Sequence, residues 1–388
     1  MKKLFSFIVI LFGLVILASC NSGSKTLEIT DQAISHETKF GGIYIMMTID
    51  DFNNEGFSYG DSVDITFSNG YELKDIPYYN GYYTDSGEKL LVGYPGYPYI
   101  RVGINNGNDL YEEAEVSDDD TAAIKLNKAK KYLDIQEALD IHYTDIQGDM
   151  PDYKFGNFRV CNVGNLKENI LYRSASPVDN QHNRTSVCDS LITNKVNTII
   201  NLSDNDEELS EHISASDFNS PYAKSLYESE KIIALSMNMN FRNSSGEEDL
   251  TPGLYKEFTD NVFSSKLITG LRFAIEKNGP YLVHCVEGKD RTGFVVMVFE
   301  ALSGATYDEI INDYMITYDN YYDINLESDS SKYNIIKKKN IDVMLQTIIA
   351  DDSVDITTAD YSLEIEEYLL DKGMEETEIA TLKNKLCD

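Results

Sequence analysis

The residues of this chain whose types and spacing suit chemistry form one short run, His284-Cys285-Val286-Glu287-Gly288-Lys289-Asp290-Arg291-Thr292-Gly293. The apolar stretch Tyr281-Leu282-Val283 precedes it, and a helical period runs on from Thr292 to Ser303. A Cys at the end of a strand, followed by a tight loop into a helix, has successive backbone N–H groups aimed inward as an anion nest. The nest and the positive end of the helix favour the thiolate, the nucleophilic form of Cys285. Arg291, six positions on, can curl back and grip a phosphoryl group with parallel hydrogen bonds. Gly288 and Gly293 permit close approach of the backbone to a ligand. Thr292 can donate a hydrogen bond to the Cys sulfur and help it leave again. The chemistry expected is attack of Cys285 on phosphorus, with Arg291 catalytic beside it and Val286, Glu287, Gly288, Lys289 and Thr292 binding the substrate. His284 is expected to brace the loop, because a thiolate made by the nest needs no general base.

The run resembles the signature of the cysteine-dependent phosphatases: His-Cys, five residues, Arg, then Ser or Thr. Its Gly-Lys-Asp-Arg-Thr-Gly variant is similar to a bacterial group of secreted tyrosine phosphatases that also act on phosphoinositides. Leu171-Tyr172-Arg173-Ser174-Ala175-Ser176-Pro177 resembles the Tyr-Arg-Ser segment that opens the domain in that group, so Arg173 is expected to support the site. Thr198-Ile199-Ile200-Asn201-Leu202-Ser203-Asp204 stands where the group has a strand ending Asp-Leu-Arg, with Asn201 and Ser203 in place of the acid and the base. The resemblance implies a phosphocysteine intermediate, no cofactor and no metal. It implies a phosphotyrosine protein as substrate, with phosphoinositides or inositol phosphates as the alternative. Lys289 suits a multiply charged substrate, and Glu287 opposes one.

Cleavage of a phosphate ester needs a proton for the leaving oxygen. Asp290 is the favoured general acid, because it is tethered within reach of the phosphoryl group. Asp204 and Asp206, just past a strand, and the acids of the segment Met239–Asp249 are the alternatives. Two further segments are candidates for the pocket wall. Asp179-Asn180-Gln181-His182-Asn183-Arg184 is either functional or a plain surface loop, and the Tyr-rich stretch Tyr314–Tyr322 is either pocket wall or packing.

Several elements must position this run. Val196–Leu202 and Tyr281–Val283 look like buried parallel strands, and they alternate with helical periods such as Leu267–Ile275. That alternation predicts an α/β phosphatase domain over residues 158–388, a central and mostly parallel sheet flanked by helices. The tail from Tyr361 to Leu386 reads as two helices around Lys372-Gly373. Residues 27–145 read as a small all-β domain, barrel or sandwich. Gly60–Phe67 alternates polar and apolar residues and ends at the turn Ser68-Asn69-Gly70. Tyr and Gly cluster at 76–83 and 93–98, as cross-strand packing or as an exposed binding surface. A polar stretch, 146–157, joins the two domains.

The N-terminus reads as an address. Lys2 and Lys3 precede an apolar run from Leu4 to Leu17, shorter than the roughly 20 residues a membrane span needs. It ends in Leu17-Ala18-Ser19-Cys20, which resembles the bacterial lipobox. Residues 1–20 are thus expected as a lipoprotein signal peptide, with Cys20 lipidated and residues 21–26 a tether. The rest of the chain would lie outside the cytoplasm, anchored to the bacterial cell membrane. Among 388 residues there are 33 Lys and Arg against 65 Asp and Glu, a formal net charge of −32. So acidic a surface repels nucleic acid, which is excluded as a partner. A non-catalytic binding lipoprotein built around the β domain is the reading from outside enzymology.

Overall fold

A computed structural model of the chain describes residues 27–85, 87–237, 261–351 and 353–388. The segment Met239–Asp249, the apolar run and Cys20 lie outside the described residues.

The first seven strands are β1 (Glu28–Glu37), β2 (Gly42–Ile45), β3 (Ser62–Phe67), β4 (Glu72–Tyr79), β5 (Lys89–Val92), β6 (Ile100–Ile104) and β7 (Thr121–Lys128). They close into a barrel of order β1-β2-β6-β5-β4-β3-β7, with β1 pairing back onto β7. Neighbours run antiparallel except β4 and β5. The alternation read in β3 is the reason it works as a barrel stave. Val63, Ile65 and Phe67 are fully buried, while Asp64 and Thr66 are only half-buried. The hairpin to β4 turns at Ser68–Gly70, where Gly70 takes φ +95° and its N–H donates to Phe67 O at 2.9 Å. Closure removes the free edges a sandwich would keep, and this settles the choice between the two in favour of the barrel. The Tyr clusters divide. Tyr78 and Tyr79 are core, whereas Tyr82, Tyr94 and Tyr97 join Tyr44 in a partly exposed ring cluster.

The second sheet contains β8 (Arg159–Val160), β9 (Leu171–Ser174), β10 (Thr198–Asn201), β11 (Ile232–Ala234) and β12 (Tyr281–His284), in the order β11-β10-β12-β9-β8. Only β8 is antiparallel to its neighbour. Its strands are apolar on both faces because both faces are covered. Leu171, Ile200 and Val283 face the helices Asn261–Glu276 and Asp290–Leu302. Tyr172, Ile199 and Leu282 face the helices Thr185–Ile192 and Pro221–Glu228. The two tail helices, Tyr361–Asp371 and Glu376–Leu386, cap the first of these layers. Among the described residues no helix is long and apolar enough to cross a membrane.

Candidate active site

The register of β12 places the chemistry. Val283 lies beside Ile200 and Arg173, and His284 lies beside Asn201 and Ser174. Successive residues of a strand point to opposite faces, so Arg173 shares the face of Val283 and the long helix Asp290–Leu302. The chain leaves β12 at His284, turns through Cys285–Lys289 and enters that helix at Asp290.

The loop's carbonyls are all turned outward and held. Cys285 O accepts from His284 Nδ1 at 3.2 Å, and Val286 O accepts from the Ser176 N–H at 3.0 Å. Glu287 O accepts from the Tyr321 hydroxyl at 2.6 Å. Gly288 O accepts from Asn157 Nδ2 and Arg173 Nη2, both at 3.1 Å. Lys289 O accepts from the Gly293 N–H at 2.7 Å. A peptide unit points its N–H away from its C=O, so fixing the carbonyls outward fixes the amides inward. Among the described residues, the N–H groups of Val286, Glu287, Gly288 and Lys289 donate to no protein acceptor. Four free donors beside a buried Cys285 at the N-terminus of a helix form an anion site.

The clamp beneath the loop is ionic. Arg173, 1% exposed, places Nη1 2.6 Å from Asp313 Oδ2. Arg159 reaches the other oxygen of Asp313 at 2.9 Å. Burial alone would raise the Asp313 carboxyl, but Arg159 and Arg173 hold it below the usual carboxylate range. Arg173 thus joins the Asp313 ion pair to a main-chain carbonyl of the loop. Asp313 also lies near Cys161 and Glu300 in a metal-like group, yet its oxygens are already taken by two guanidinium groups.

At the rim, Lys289 Nζ stands 3.4 Å from Glu287 and 3.7 Å from Asp290. Burial opposes the Lys289 charge, but Asp290, Tyr318 and Glu287 hold its pKa well above the usual lysine value. Asp290 also accepts from the Tyr314 hydroxyl at 3.4 Å. The Arg291 side chain is half-buried and pairs with no carboxylate among the described residues. Asp204 is buried and its Oδ2 is held by Asn201 Nδ2 at 2.8 Å, while Asp206 is exposed at a helix start. With Asp179 and His212, Asp204 forms a second metal-like group.

One expectation needs correction. Thr292 does not reach the sulfur here: its hydroxyl is buried with no hydrogen-bond partner. Gly288 and Gly293 serve contacts within the protein. A Cβ on Gly288 would stand 2.2 Å from Ser174 O, and one on Gly293 would stand 2.5 Å from the Tyr314 ring. Cys161 and Cys188 are buried free thiols. Burial pushes the Cys161 thiol well up and the Cys188 thiol up to about 12.

Of the two candidate wall segments, the Tyr-rich stretch braces this loop through Tyr321. Arg184 is buried and donates to Phe155 O at 2.8 Å. The Tyr-rich stretch supplies Tyr321, and also Asn320, which donates to Asn157 Oδ1 at 3.1 Å. Sequence reasoning missed Asn157, Arg159 and Asp313. Asp313 did carry a signal, an acid in the run Ile310-Ile311-Asn312-Asp313-Tyr314-Met315 of a helix whose neighbours are buried.

The model of the tyrosine phosphatase family matches residues 154–388. The chain belongs to the tyrosine phosphatase family. The match begins at the short helix Asp152–Phe155 and takes in the whole second sheet and the loop Cys285–Lys289. Family membership supports a phosphatase enzyme. No curated protein matches the chain.

Proposed function

We propose that this tyrosine phosphatase family member hydrolyses phosphotyrosine in proteins through a phosphocysteine intermediate. The observation that carries the reading is the ring of outward-held carbonyls and free inward amides around Cys285. In this mechanism the Cys285 thiolate attacks phosphorus in line, and the ester oxygen leaves as the S–P bond forms. The loop amides and Arg291 stabilise the charge on the equatorial oxygens. Asp290 protonates the leaving oxygen, and water then attacks phosphorus to release phosphate and restore the thiolate. The rim favours a singly phosphorylated aromatic group over a phosphoinositide. Lys289, the extra cation a second phosphate would use, is paired with the Glu287 carboxylate. Tyr143, Tyr321 and Tyr322 supply ring surface beside Glu287. Residues 158–388 act as the phosphatase domain, residues 27–145 as a β domain, and Cys20 as a lipid anchor holding both outside the cytoplasm.

The test is phosphate release by reduced protein in EDTA, from phosphotyrosine peptides, phosphoserine peptides, phosphoinositides and inositol hexakisphosphate. Turnover should be greatest on phosphotyrosine and vanish in Cys285→Ser. A preference for phosphoinositides overturns the substrate, and silence across the panel from folded protein points to a non-catalytic binding lipoprotein. Fractionation of expressing cells in the same experiment checks the anchor. Cys20→Ala should leave the membrane fraction, and a variant that stays there sinks the lipid attachment.

A further inference from the structure

We propose that Tyr143, from the segment between barrel and second sheet and outside the family-matched residues, is a positioning residue that holds the phosphate loop competent by acting on Glu287. The proposal rests on the reading of that loop as a phosphate site.

Two routes run from Tyr143 to Glu287. The first is through the main chain. The Tyr143 ring stacks on Tyr321 with centroids 4.9 Å apart and planes 26° from parallel. Tyr321 in turn donates its hydroxyl to Glu287 O at 2.6 Å, the shortest of the bonds that turn the loop's carbonyls outward. The second route is through the side chain. Burial raises the Glu287 carboxyl, and Lys289 and then Tyr143 bring it below its ordinary value. Burial raises the Tyr143 phenol, and Glu287 raises it further.

Tyr143 is itself held from the other side, as a brace must be. Its hydroxyl lies 3.2 Å from His182 Nε2, and His182 Nδ1 lies 3.0 Å from Asp145. The Arg184 guanidinium sits over the Tyr143 ring at 4.8 Å and over Tyr321 at 5.1 Å, with Nη1 3.1 Å from Asp145 and Nη2 2.8 Å from Thr144 O. The segment 143–145 is therefore fixed to the second-sheet side of the molecule. Upstream, Leu139 and Ile141 pack against the core of that side as well.

The functional consequence follows from what the loop must do. An oxyanion binds the loop only when its amides point inward. If the bracing is lost, the loop spends part of its time in other arrangements. Apparent affinity then falls by the competent fraction, while the bound state, once formed, reacts as before. Tyr143 should thus act on KM and on oxyanion affinity, and leave kcat alone. Aromatic pairs of this kind correspond to about a three- to tenfold effect.

The experiment is done on the full chain, with Tyr143→Ala and Tyr143→Phe compared with wild type. The readouts are KM and kcat for an aryl phosphate, Kd for vanadate, and thermal melts. Tyr143→Ala should raise KM and vanadate Kd together, about three- to tenfold, with kcat within about twofold. Tyr143→Phe keeps the ring on Tyr321 and should recover most of that loss. An unchanged KM and Kd in Tyr143→Ala overturns the proposal, as does a fall in kcat alone. Should Tyr143→Ala fail to fold, Tyr321→Phe tests the same route, since it deletes only the hydroxyl on Glu287 O. A raised vanadate Kd supports the route and an unchanged one overturns it. Wild-type behaviour separates the two levels of inference. Without vanadate binding or turnover in the wild type, the phosphate site itself is wrong. With both intact and Tyr143→Ala indistinguishable from wild type, only the role of Tyr143 falls.

Discussion

His284 shows how one residue ties the stability of the fold to the shape of the loop. It ends β12 fully buried, with Nδ1 donating to Cys285 O and Nε2 without a partner. Burial pushes its pKa down to about 4, and Asp204 only partly offsets this. The ring is therefore neutral at pH 7, with its proton on Nδ1, because a carbonyl can only accept. Its folded pKa lies below the unfolded value of about 6.5. As pH falls through that window the unfolded chain binds a proton that the folded chain refuses, so stability drops. The loss saturates near pH 4 at something on the order of 3 kcal/mol. His284→Asn keeps a donor for Cys285 O and removes the titration. Its urea midpoint should fall less than that of wild type between pH 7.5 and pH 5. Equal acid slopes in the two proteins would show that His284 does not carry this linkage.

At the scale of elements, the loop is shaped by what lies behind it. Gly288 has φ +69°, and the Cβ that any other residue would add points at backbone, 2.2 Å from Ser174 O. Backbone in a paired strand cannot rotate away as a side chain can, so Gly288→Ala must push the loop off β9. That movement would break the bonds of Gly288 O to Asn157 and Arg173. The expected result is a fall in kcat/KM of at least tenfold with vanadate affinity falling in step, while the far-UV spectrum is kept. An active Gly288→Ala enzyme would mean the loop tolerates a shift that its bracing forbids. This position also marks the limit of what was legible in the sequence. The strand, loop and helix carrying Cys285 could be read, since an apolar run, a motif and a helical period adjoin within about 20 residues. So could the alternation of Val63, Ile65 and Phe67 in the barrel. The partners of the loop's carbonyls could not be read. Arg173 apart, those partners are scattered: Asn157 and Tyr321 lie about 160 residues apart along the chain and meet only when the sheet and the helix Tyr307–Tyr322 are packed. Nothing local distinguishes an Asn in a polar stretch from an Asn buried under the Cys285–Lys289 loop. Nor does a glycine's presence say which neighbour needs its missing side chain.

For the molecule as a whole, the site works against its own field. The net charge of −32 repels a phosphate dianion over distances set by ionic strength, while the nest attracts it only at contact. Lys289 cannot reverse the balance locally, since Glu287 and Asp290 flank it. Encounter with an acidic substrate should therefore be slowed at low salt. Screening shortens from about 30 Å at 0.01 M to about 8 Å at 0.15 M. Over that range kcat/KM for a phosphotyrosine peptide flanked by acids should rise severalfold, with kcat unchanged. A peptide flanked by lysines should show the reverse, because the same field attracts it. The pair of slopes separates a field effect from salt acting on the enzyme itself, which would move both peptides in one direction. Opposite slopes would mean that the acidic surface selects substrates by charge before the loop reads their phosphate. Parallel slopes would mean that salt acts on the enzyme itself and that the acidic surface selects nothing by charge.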